Sequence, residues 1–346
     1  MSTRGVLVVG TGKRARETAL PAFQRLPRDF ELRGLFARRA KELEVGGRRY
    51  AVRAAESLGA EALAGVDLVY VAVAKDAVPQ VLARLAALPV EQVDLLIDTP
   101  VVRFKHYRHV ERLKGFRAAW VAEDCVHLPW IGPVRRALAS GAIGAAEGVL
   151  FSRSAYAYHG LATAKALLGE RRVLRARRRD EGGGLIRRQV WFAGPAQAWM
   201  IEPRDYATGR IAVLGKTGSI ADYPVDPPPG GRHLELAPVL QGGRLVGVRA
   251  GDELEPLDDD ERALAAGDAP DLGLTARMEA WKRVGFLRLL RSIARGSGGY
   301  PVEDALEDMV VDYHLERLGR YRATPLTDPR APLAQALLRL ASRVAG

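Results

Sequence analysis

The sequence predicts an α/β protein in which a doubly wound parallel sheet is followed by a large, open, mainly antiparallel sheet. Short apolar runs alternate with helical patterns through the first 125 residues, as in doubly wound folds. From Pro129 onward, several strand-like segments follow one another without intervening helices. Because 346 residues exceed what one hydrophobic core usually supports, we expect two domains, at residues 1–127 and 128–346.

The first apolar run carries the clearest functional signal. Residues 6–9 (Val-Leu-Val-Val) predict a buried parallel strand that leads into a Gly-x-Gly-x-x-Ala turn. Gly10 permits the tight turn, Gly12 lets a pyrophosphate approach the backbone, and Ala15 lets the next helix pack closely. The N–H groups at the start of that helix favour phosphates. We therefore predict a Rossmann dinucleotide site, with cofactor-binding residues Gly10, Thr11, Gly12, Lys13, Arg14 and Ala15.

The end of the second strand bears on which dinucleotide binds. The apolar run at residues 30–36 ends at Ala37 and is followed by Arg38 and Arg39. NAD-binding folds usually place an acidic residue here for the ribose 2′-hydroxyl, whereas arginines can grip a 2′-phosphate. We predict NADP as the cofactor, with NAD as the alternative if these are ordinary loop arginines of an Arg-rich chain.

Three further strands are predicted at residues 66–73, 93–97 and 118–122. Because parallel strands end at one edge of a sheet, the residues that follow them should rim one crevice. We expect Ala74, Asp98, Thr99 and Pro100 to contact the cofactor, and Glu123 and His127 to contact the substrate. Lys75 lies on the same rim, although a solvated loop lysine is the simpler interpretation. The helices between these strands are predicted at residues 54–63, 79–88 and 104–114.

The C-terminal part begins with a predicted helix at residues 131–140. Strands are then predicted at residues 147–158, 185–192, 198–202, 209–214 and 219–223. The four prolines of residues 222–231 indicate a loop. Long helices are predicted at residues 275–295 and 302–322, and a final amphipathic helix begins at Pro332.

The net charge of +11 raises the question of nucleic-acid binding. Of the 52 basic residues only eight are lysine, and the arginines are spread along the whole chain, so the bias is compositional rather than a binding stripe. The densest run of arginines lies at residues 171–179. It has three interpretations: the solvated face of a strand, a subunit contact or a patch that binds an anionic substrate. No nucleic-acid-binding motif accompanies it, so nucleic acid is disfavoured as a partner.

Cysteine content and hydropathy argue against a disulfide-stabilised protein and against a membrane-spanning one. Cys125 is the only cysteine, which excludes a disulfide framework and favours a small buried apolar role. No cluster of His, Asp and Glu has metal-ligand spacing, so no metal is expected. No signal peptide and no apolar run near 18 residues are evident, so we expect a cytoplasmic protein without a membrane span.

Over most of its length the chain resembles the glucose–fructose oxidoreductase/inositol dehydrogenase (Gfo/Idh/MocA) family. The resemblance rests on residues 8–12 (Val-Val-Gly-Thr-Gly), 19–23 (Ala-Leu-Pro-Ala-Phe), 66–72, 140–144 (Ser-Gly-Ala-Ile-Gly) and 214–220. It implies an N-terminal Rossmann domain, a nicotinamide cofactor and a small-molecule substrate. It also implies a second domain whose open sheet forms a homodimer or homotetramer.

Two motifs of that family are altered here. Its Glu-Lys-Pro corresponds to Asp98-Thr99-Pro100, so the lysine that orients substrate and cofactor is replaced by a threonine. Its Asp-x-x-x-His element corresponds to His159 with Ala155 in place of the aspartate. Lys75 could partly replace the missing lysine.

Hydride transfer to a carbonyl or imine needs a proton donor. His159 has a suitable intrinsic pKa, and Tyr156 and Tyr158 flank it, so these three residues and Lys75 are the catalytic candidates. Lys165 on the same helix should point away from His159. The sequence favours an NADP-dependent oxidoreductase acting on a C=O or C=N bond. The alternative is a degenerate member that binds nucleotide but performs lyase or cyclase chemistry or only binds.

Overall fold

The computed structural model describes residues 3–155, 157–170, 172–266 and 271–344. The chain divides into two compact units, each of which is discontinuous in sequence. The first unit comprises Met1–Glu123, Phe286–Leu306 and Pro329–Gly346, and the second comprises Asp124–Gly285 and Glu307–Asp328.

The first unit is built on an eight-stranded sheet. Its strands are Arg4–Val9 (β1), Phe30–Ala37 (β2), Lys41–Val45 (β3), Arg48–Ala54 (β4), Leu68–Val71 (β5), Asp94–Asp98 (β6), Ala118–Ala122 (β7) and the short strand Tyr300–Pro301. Their spatial order is Tyr300–Pro301, β7, β6, β5, β1, β2, β4, β3. Only the pairs β3–β4 and Tyr300–Pro301–β7 are antiparallel. The order reverses beside β1, which is where doubly wound sheets bind ligands.

The second unit contains a ten-stranded sheet. Its strands are Ala146–Ser152 (β8), Val173–Gly182 (β9), Leu185–Phe192 (β10), Gln197–Glu202 (β11), Arg210–Gly215 (β12), Gly218–Ala221 (β13), Arg232–Gln241 (β14), Arg244–Ala250 (β15), Glu253–Pro256 (β16) and Arg320–Arg322. The order is β16, β15, β14, β13, β12, β8, β11, β10, β9, Arg320–Arg322. Only β8–β11 and β13–β14 pair in parallel. The predicted fold class, a parallel doubly wound sheet plus a large mainly antiparallel one, is therefore confirmed.

Eight α-helices accompany the two sheets in the described part of the chain. They are Leu20–Arg25 (α1), Val78–Leu85 (α2), Ile131–Ala139 (α3), Ala157–Leu168 (α4), Asp259–Ala265 (α5), Met278–Ala294 (α6), Val302–Leu318 (α7) and Pro332–Val344 (α8). A π-helix at Ala15–Ala19 precedes α1, and a long 3₁₀ helix spans Phe104–Gly115. Shorter 3₁₀ turns lie at Ala55–Ser57, Ala60–Leu63, Asp124–His127 and Thr275–Arg277. None of the described helices combines the length and apolarity that a membrane crossing requires.

The core of the first unit forms around β1. Residues 6–9 are at most 1% exposed, because this central strand is covered on both faces, as the unbroken apolar run indicates. Tyr70 on β5 packs edge to face against Phe23 and Phe286, at ring-centre distances of 6.3 and 5.5 Å. Burial of each such side chain contributes roughly 1.5–3 kcal/mol, and this anchors the strand that leads to the glycine turn.

The sheet of the second unit has two different faces. Along β8 and β11, buried Phe151 and Met200 alternate with half-buried Leu150 and Trp199. Trp199 lies directly opposite Leu150 on β8 and opposite Gln189 on β10. Helix α4 packs against β8 and β11, and the half-buried face carries large apolar side chains.

Two predicted helices of the first unit are wrong. Residues 54–63 form two short 3₁₀ turns separated by Gly59, and the polar stretch before them is the β3–β4 hairpin. Gly46 and Gly47, both at positive φ, close that hairpin, a signal that the sequence carries as Gly-Gly between alternating residues. Residues 104–114 form a 3₁₀ helix rather than an α-helix. Strand β9 agrees with the strand interpretation, one of three that were left open for residues 171–179, whereas β14–β16 were not predicted.

Candidate active site

The turn after β1 has the geometry of a nucleotide-binding turn. Gly10 adopts φ 114°, and a Cβ there would lie 2.0 Å from the carbonyl oxygen of Ala72, so only glycine fits. A Cβ on Gly12, in contrast, would meet no atom within 4 Å. Ala15 is fully buried at the start of the following helix. Gly10 is thus required by the fold, whereas the space at Gly12 is open to a ligand.

A cleft of about 850 Å³ opens beside this turn. Gly10, Thr11, Gly12, Ala74, Arg38 and Arg39 line it. The exposed Lys41 and Arg84 add two further cations, and Glu56 is the one carboxylate among the described residues of the lining. Arg38, Arg39 and Ala40 directly follow β2, so the cleft wall beside the end of that strand is cationic.

Asp98, at the end of β6, contacts two cationic side chains, those of Arg14 and Lys75. Its Oδ1 accepts a 3.2 Å hydrogen bond from Arg14 Nε, and its main-chain oxygen accepts a 2.9 Å bond from Lys75 Nζ. Burial lowers the pKa of Lys75, Asp98 opposes that shift, and Arg14 adds to it. A partly desolvated ammonium group is therefore held beside Asp98-Thr99-Pro100, where the Thr99–Pro100 peptide is cis.

In the second unit, a buried charge network fixes the start of α4. The Ala157 N–H donates a 3.0 Å hydrogen bond to Glu202 Oε1, and Arg188 Nε donates to Glu202 Oε2 at 3.1 Å. Arg188 also donates to Asp312 Oδ1 at 2.6 Å. Ala157 has φ 50°, so this network holds a strained residue two positions before His159.

His159 lies half-buried in the first turn of α4, next to Tyr158, whose ring centre is 4.2 Å away. It lines a small space with Cys125, Thr163 and Tyr206. An imidazole nitrogen of His159 and the Cys125 thiol lie within 4.8 Å of each other. With a volume of about 10 Å³, this space holds no more than a water molecule.

A lysine lies close to these residues. Lys282 Nζ is 5.2 Å from the centre of the Tyr206 ring, a cation–π contact. Burial opposes its charge, but Cys125, Tyr206 and Asp124 outweigh burial and raise the pKa of Lys282. Burial raises the pKa of Tyr206 despite the nearby ammonium group. Both side chains therefore stay protonated near neutral pH.

No protein-family model and no curated protein matches the sequence. Solved structures do resemble it. An oxidoreductase from Agrobacterium radiobacter, in complex with NAD⁺, L-tartaric acid and magnesium, is 16% identical with a TM-score of 0.59, covering 93% of this chain and 98% of its own. The aldose–aldose oxidoreductase of Caulobacter crescentus, complexed with glycerol, is 15% identical with a TM-score of 0.61, covering 93% and 100%. A myo-inositol dehydrogenase from Corynebacterium glutamicum is 12% identical with a TM-score of 0.60, covering 93% and 99%.

The chain has the Gfo/Idh/MocA-type oxidoreductase fold. The resemblance seen in the sequence is thereby confirmed at the level of the fold.

The other predicted site residues are placed as follows. Lys13 is exposed and pairs with Glu17 at 3.7 Å. Glu123 is buried immediately after β7, and His127 is half-buried at the end of a 3₁₀ turn. Lys165 is buried and pairs with Glu307 and Asp308 at 2.6 Å each, which makes it a structural cation. Tyr156 lies outside the described residues.

Sequence reasoning missed Lys41, Arg84, Tyr206 and Lys282. Lys41 had a readable signal, since it follows Arg38 and Arg39 within three residues. Arg84 belongs to α2, and only the folded structure brings it to the cleft. Tyr206 and Lys282 are 76 positions apart and come from a loop and a helix, so no local pattern links them.

Proposed function

We propose that the protein is an NADP-dependent oxidoreductase acting on a C=O/C–OH or C=N/C–N bond of a small polar molecule. The observation that carries the proposal is the cleft beside Gly12, whose wall after β2 is cationic where NAD-binding folds place a carboxylate. The fold it shares with known oxidoreductases supports the same reaction class. Residues 1–127 would bind the dinucleotide, and residues 128–346 would bind the substrate and form the contact between subunits.

The cofactor would be held from two directions. The N–H groups following Gly12, with Thr11, Lys13 and Arg14 nearby, would bind the pyrophosphate, while Ala15 keeps the helix close. Arg38 and Arg39 would bind the 2′-phosphate, with Lys41 adjacent. NADPH, when bound, supplies the hydride. Ala74 and residues 98–100 would border the nicotinamide end of the cofactor.

Lys75 would take the orienting role of the missing motif lysine. Its ammonium group is fixed by the Asp98 carbonyl and is partly desolvated, which strengthens its effect on a developing alkoxide. His159 would donate the proton, with Tyr158 or Tyr156 assisting, as a general acid at the start of α4. Glu123 and His127 would contact the substrate.

A homodimer or homotetramer would cover the half-buried sheet face. Trp199 and Leu150 lie opposite each other on that face and would otherwise leave an apolar patch in water. Light scattering at micromolar concentrations should show a dimer or larger, and Trp199→Glu should reduce its mass to that of the monomer. A wild-type monomer would contradict this part of the proposal.

The experiment that tests the function is a nicotinamide absorbance assay. The purified chain is mixed with NADPH and a panel of aldoses, inositol oxidation products, 2-oxo acids and cyclic imines. Oxidation of NADPH with any of them supports the proposal. Tight NADPH binding without turnover across the panel would instead favour the non-redox lyase, cyclase or binding role.

A further inference from the structure

The first unit contains a second cationic concavity, remote in sequence from the nucleotide turn. Helix α8 packs against the 3₁₀ helix Phe104–Gly115, and a pocket of about 520 Å³ lies where they meet. Its lining includes Arg108 and Arg112 from the 3₁₀ helix and Arg339 and Arg343 from α8. We name these four residues the arginine pocket.

The charges of the arginine pocket are poorly balanced. Among the residues that the structure describes, Glu111 is the only carboxylate in its lining, and Glu111 already binds Arg339 and, at 2.7 Å, Lys114. Among the described residues, no acidic side chain pairs with Arg108 or Arg343. Arg339 and Arg343 are four residues apart on α8, a spacing at which like charges destabilise a helix, and a bound anion would offset that repulsion.

The imidazole of His109 lies between two of these arginines, and its pKa is lowered. Its Nδ1 lies 2.5 Å from a guanidinium nitrogen of Arg112, and its Nε2 lies 3.3 Å from Arg108 Nε. Burial lowers the pKa of His109, and Arg112, Arg108 and His106 lower it further. A neutral imidazole thus separates two guanidinium groups and leaves the positive charge to them.

We propose that the arginine pocket binds a small multivalent anion of the pyrophosphate class. Guanidinium groups match phosphoryl oxygens in bidentate geometry, and they reach this space from two different helices. The volume exceeds the needs of a single chloride and lies within the range of small-molecule sites. The inference goes beyond the proposed oxidoreductase activity and does not depend on it.

The test is a calorimetric titration of the full chain with inorganic pyrophosphate. NADP⁺ is kept saturating so that the nucleotide cleft does not compete, and the titration is repeated without NADP⁺ in case that cofactor fails to bind. The test variant is Arg108→Gln with Arg343→Gln, two exposed positions. The control is Arg48→Gln with Arg49→Gln, an equal charge change on the exposed β4 hairpin.

The wild type and the Arg48/Arg49 control should bind one pyrophosphate per chain, and the Arg108/Arg343 variant should bind at least about tenfold more weakly. Equal affinity in all three proteins, or no binding by the wild type, would overturn the proposal. Duplex DNA that binds through Arg108 and Arg343 while pyrophosphate does not would overturn it in favour of a nucleic-acid surface.

Discussion

Lys75 Nζ donates a 2.9 Å hydrogen bond to the main-chain oxygen of Asp98. The bond holds Lys75, which follows β5, at the end of β6 beside Thr99. Arg14 Nε pairs with Asp98 Oδ1 at 3.2 Å, and Lys75 Nζ lies 3.9 Å from Asp98 Oδ2, so one carboxylate faces two cations and balances only one of them. The site therefore has a cation although position 99 does not supply it.

If Lys75 orients the substrate, Lys75→Gln should lower kcat about 100-fold and leave NADPH affinity nearly unchanged, because Lys75 does not line the nucleotide cleft. Steady-state kinetics with NADPH binding measured in parallel checks this. Lys105→Gln is the control, since Lys105 pairs with the exposed Asp76 at 3.3 Å. Unchanged kcat in Lys75→Gln would remove this lysine from the reaction.

Substitutions of the two glycines of the turn should have different effects, one on nucleotide binding and the other on stability. Gly12→Val should keep the fold, since its Cβ has open space, but should abolish NADPH binding because the side chain fills the place of the pyrophosphate. Gly10→Val should destabilise the protein itself, because its Cβ would overlap the Ala72 carbonyl. Circular dichroism melts and NADPH fluorescence titrations separate the two effects. Normal nucleotide binding by Gly12→Val would show that the site lies elsewhere.

His159→Ala should lower turnover by ~10²–10⁴-fold with little change in cofactor affinity, the usual contribution of a general acid. The fold should persist, because Thr163 Oγ1 donates its 2.7 Å hydrogen bond to the main-chain oxygen of His159, which the alanine variant retains. Thr99→Ala should cost less, since it removes only a hydrogen-bonding hydroxyl. Full activity in His159→Ala would make Lys75 or a tyrosine the better candidate.

Asp222 should make stability depend on pH. Burial raises its pKa to about 6, so the folded state binds this proton more tightly than the unfolded state. Its contribution is therefore present at low pH and lost as pH rises through about 6. Asp222→Asn retains an acceptor for the Ile211 N–H at 2.7 Å and should stabilise the protein by roughly 1–3 kcal/mol at pH 8.

Urea unfolding at pH 8 and pH 4.5 measures this difference. The gain from Asp222→Asn should shrink at the lower pH. Asp226→Asn, at an exposed position in the following loop, is the control. A gain that is the same at both pH values would contradict the assignment to Asp222.

The sequence predicted β1, β5 and β6 well, because each is a short apolar run buried on both faces. Leu185–Phe192 was predicted with its observed bounds, since polar and apolar residues alternate along it. Local patterns gave wrong predictions where tertiary packing determines the secondary structure. Residues 104–114 look amphipathic under a helical period, yet they fold as a 3₁₀ segment. The arginine-rich β9 alternates only partly, so a strand was one of three interpretations left open for residues 171–179.

The candidate site was predictable where one turn or one strand end supplies the residues. Gly10, Gly12, Arg38 and Arg39 are of this kind, and the structure places them along one cleft. The hydrogen bond from Lys75 to Asp98 and the pairing of Lys282 with Tyr206 depend on which elements become neighbours. Such neighbours are set by long-range packing, and a single sequence does not encode them locally.

In the proposed function, Arg38 and Arg39 make the cleft after β1 select NADP over NAD. Fluorescence titration of NADPH and NADH, with the wild type and the Arg38→Ala/Arg39→Ala double variant, measures this selectivity. NADPH should bind the wild type at least about tenfold more tightly than NADH, and the double variant should lose that preference while keeping its NADH affinity. Equal affinities of the wild type for the two cofactors would contradict the account.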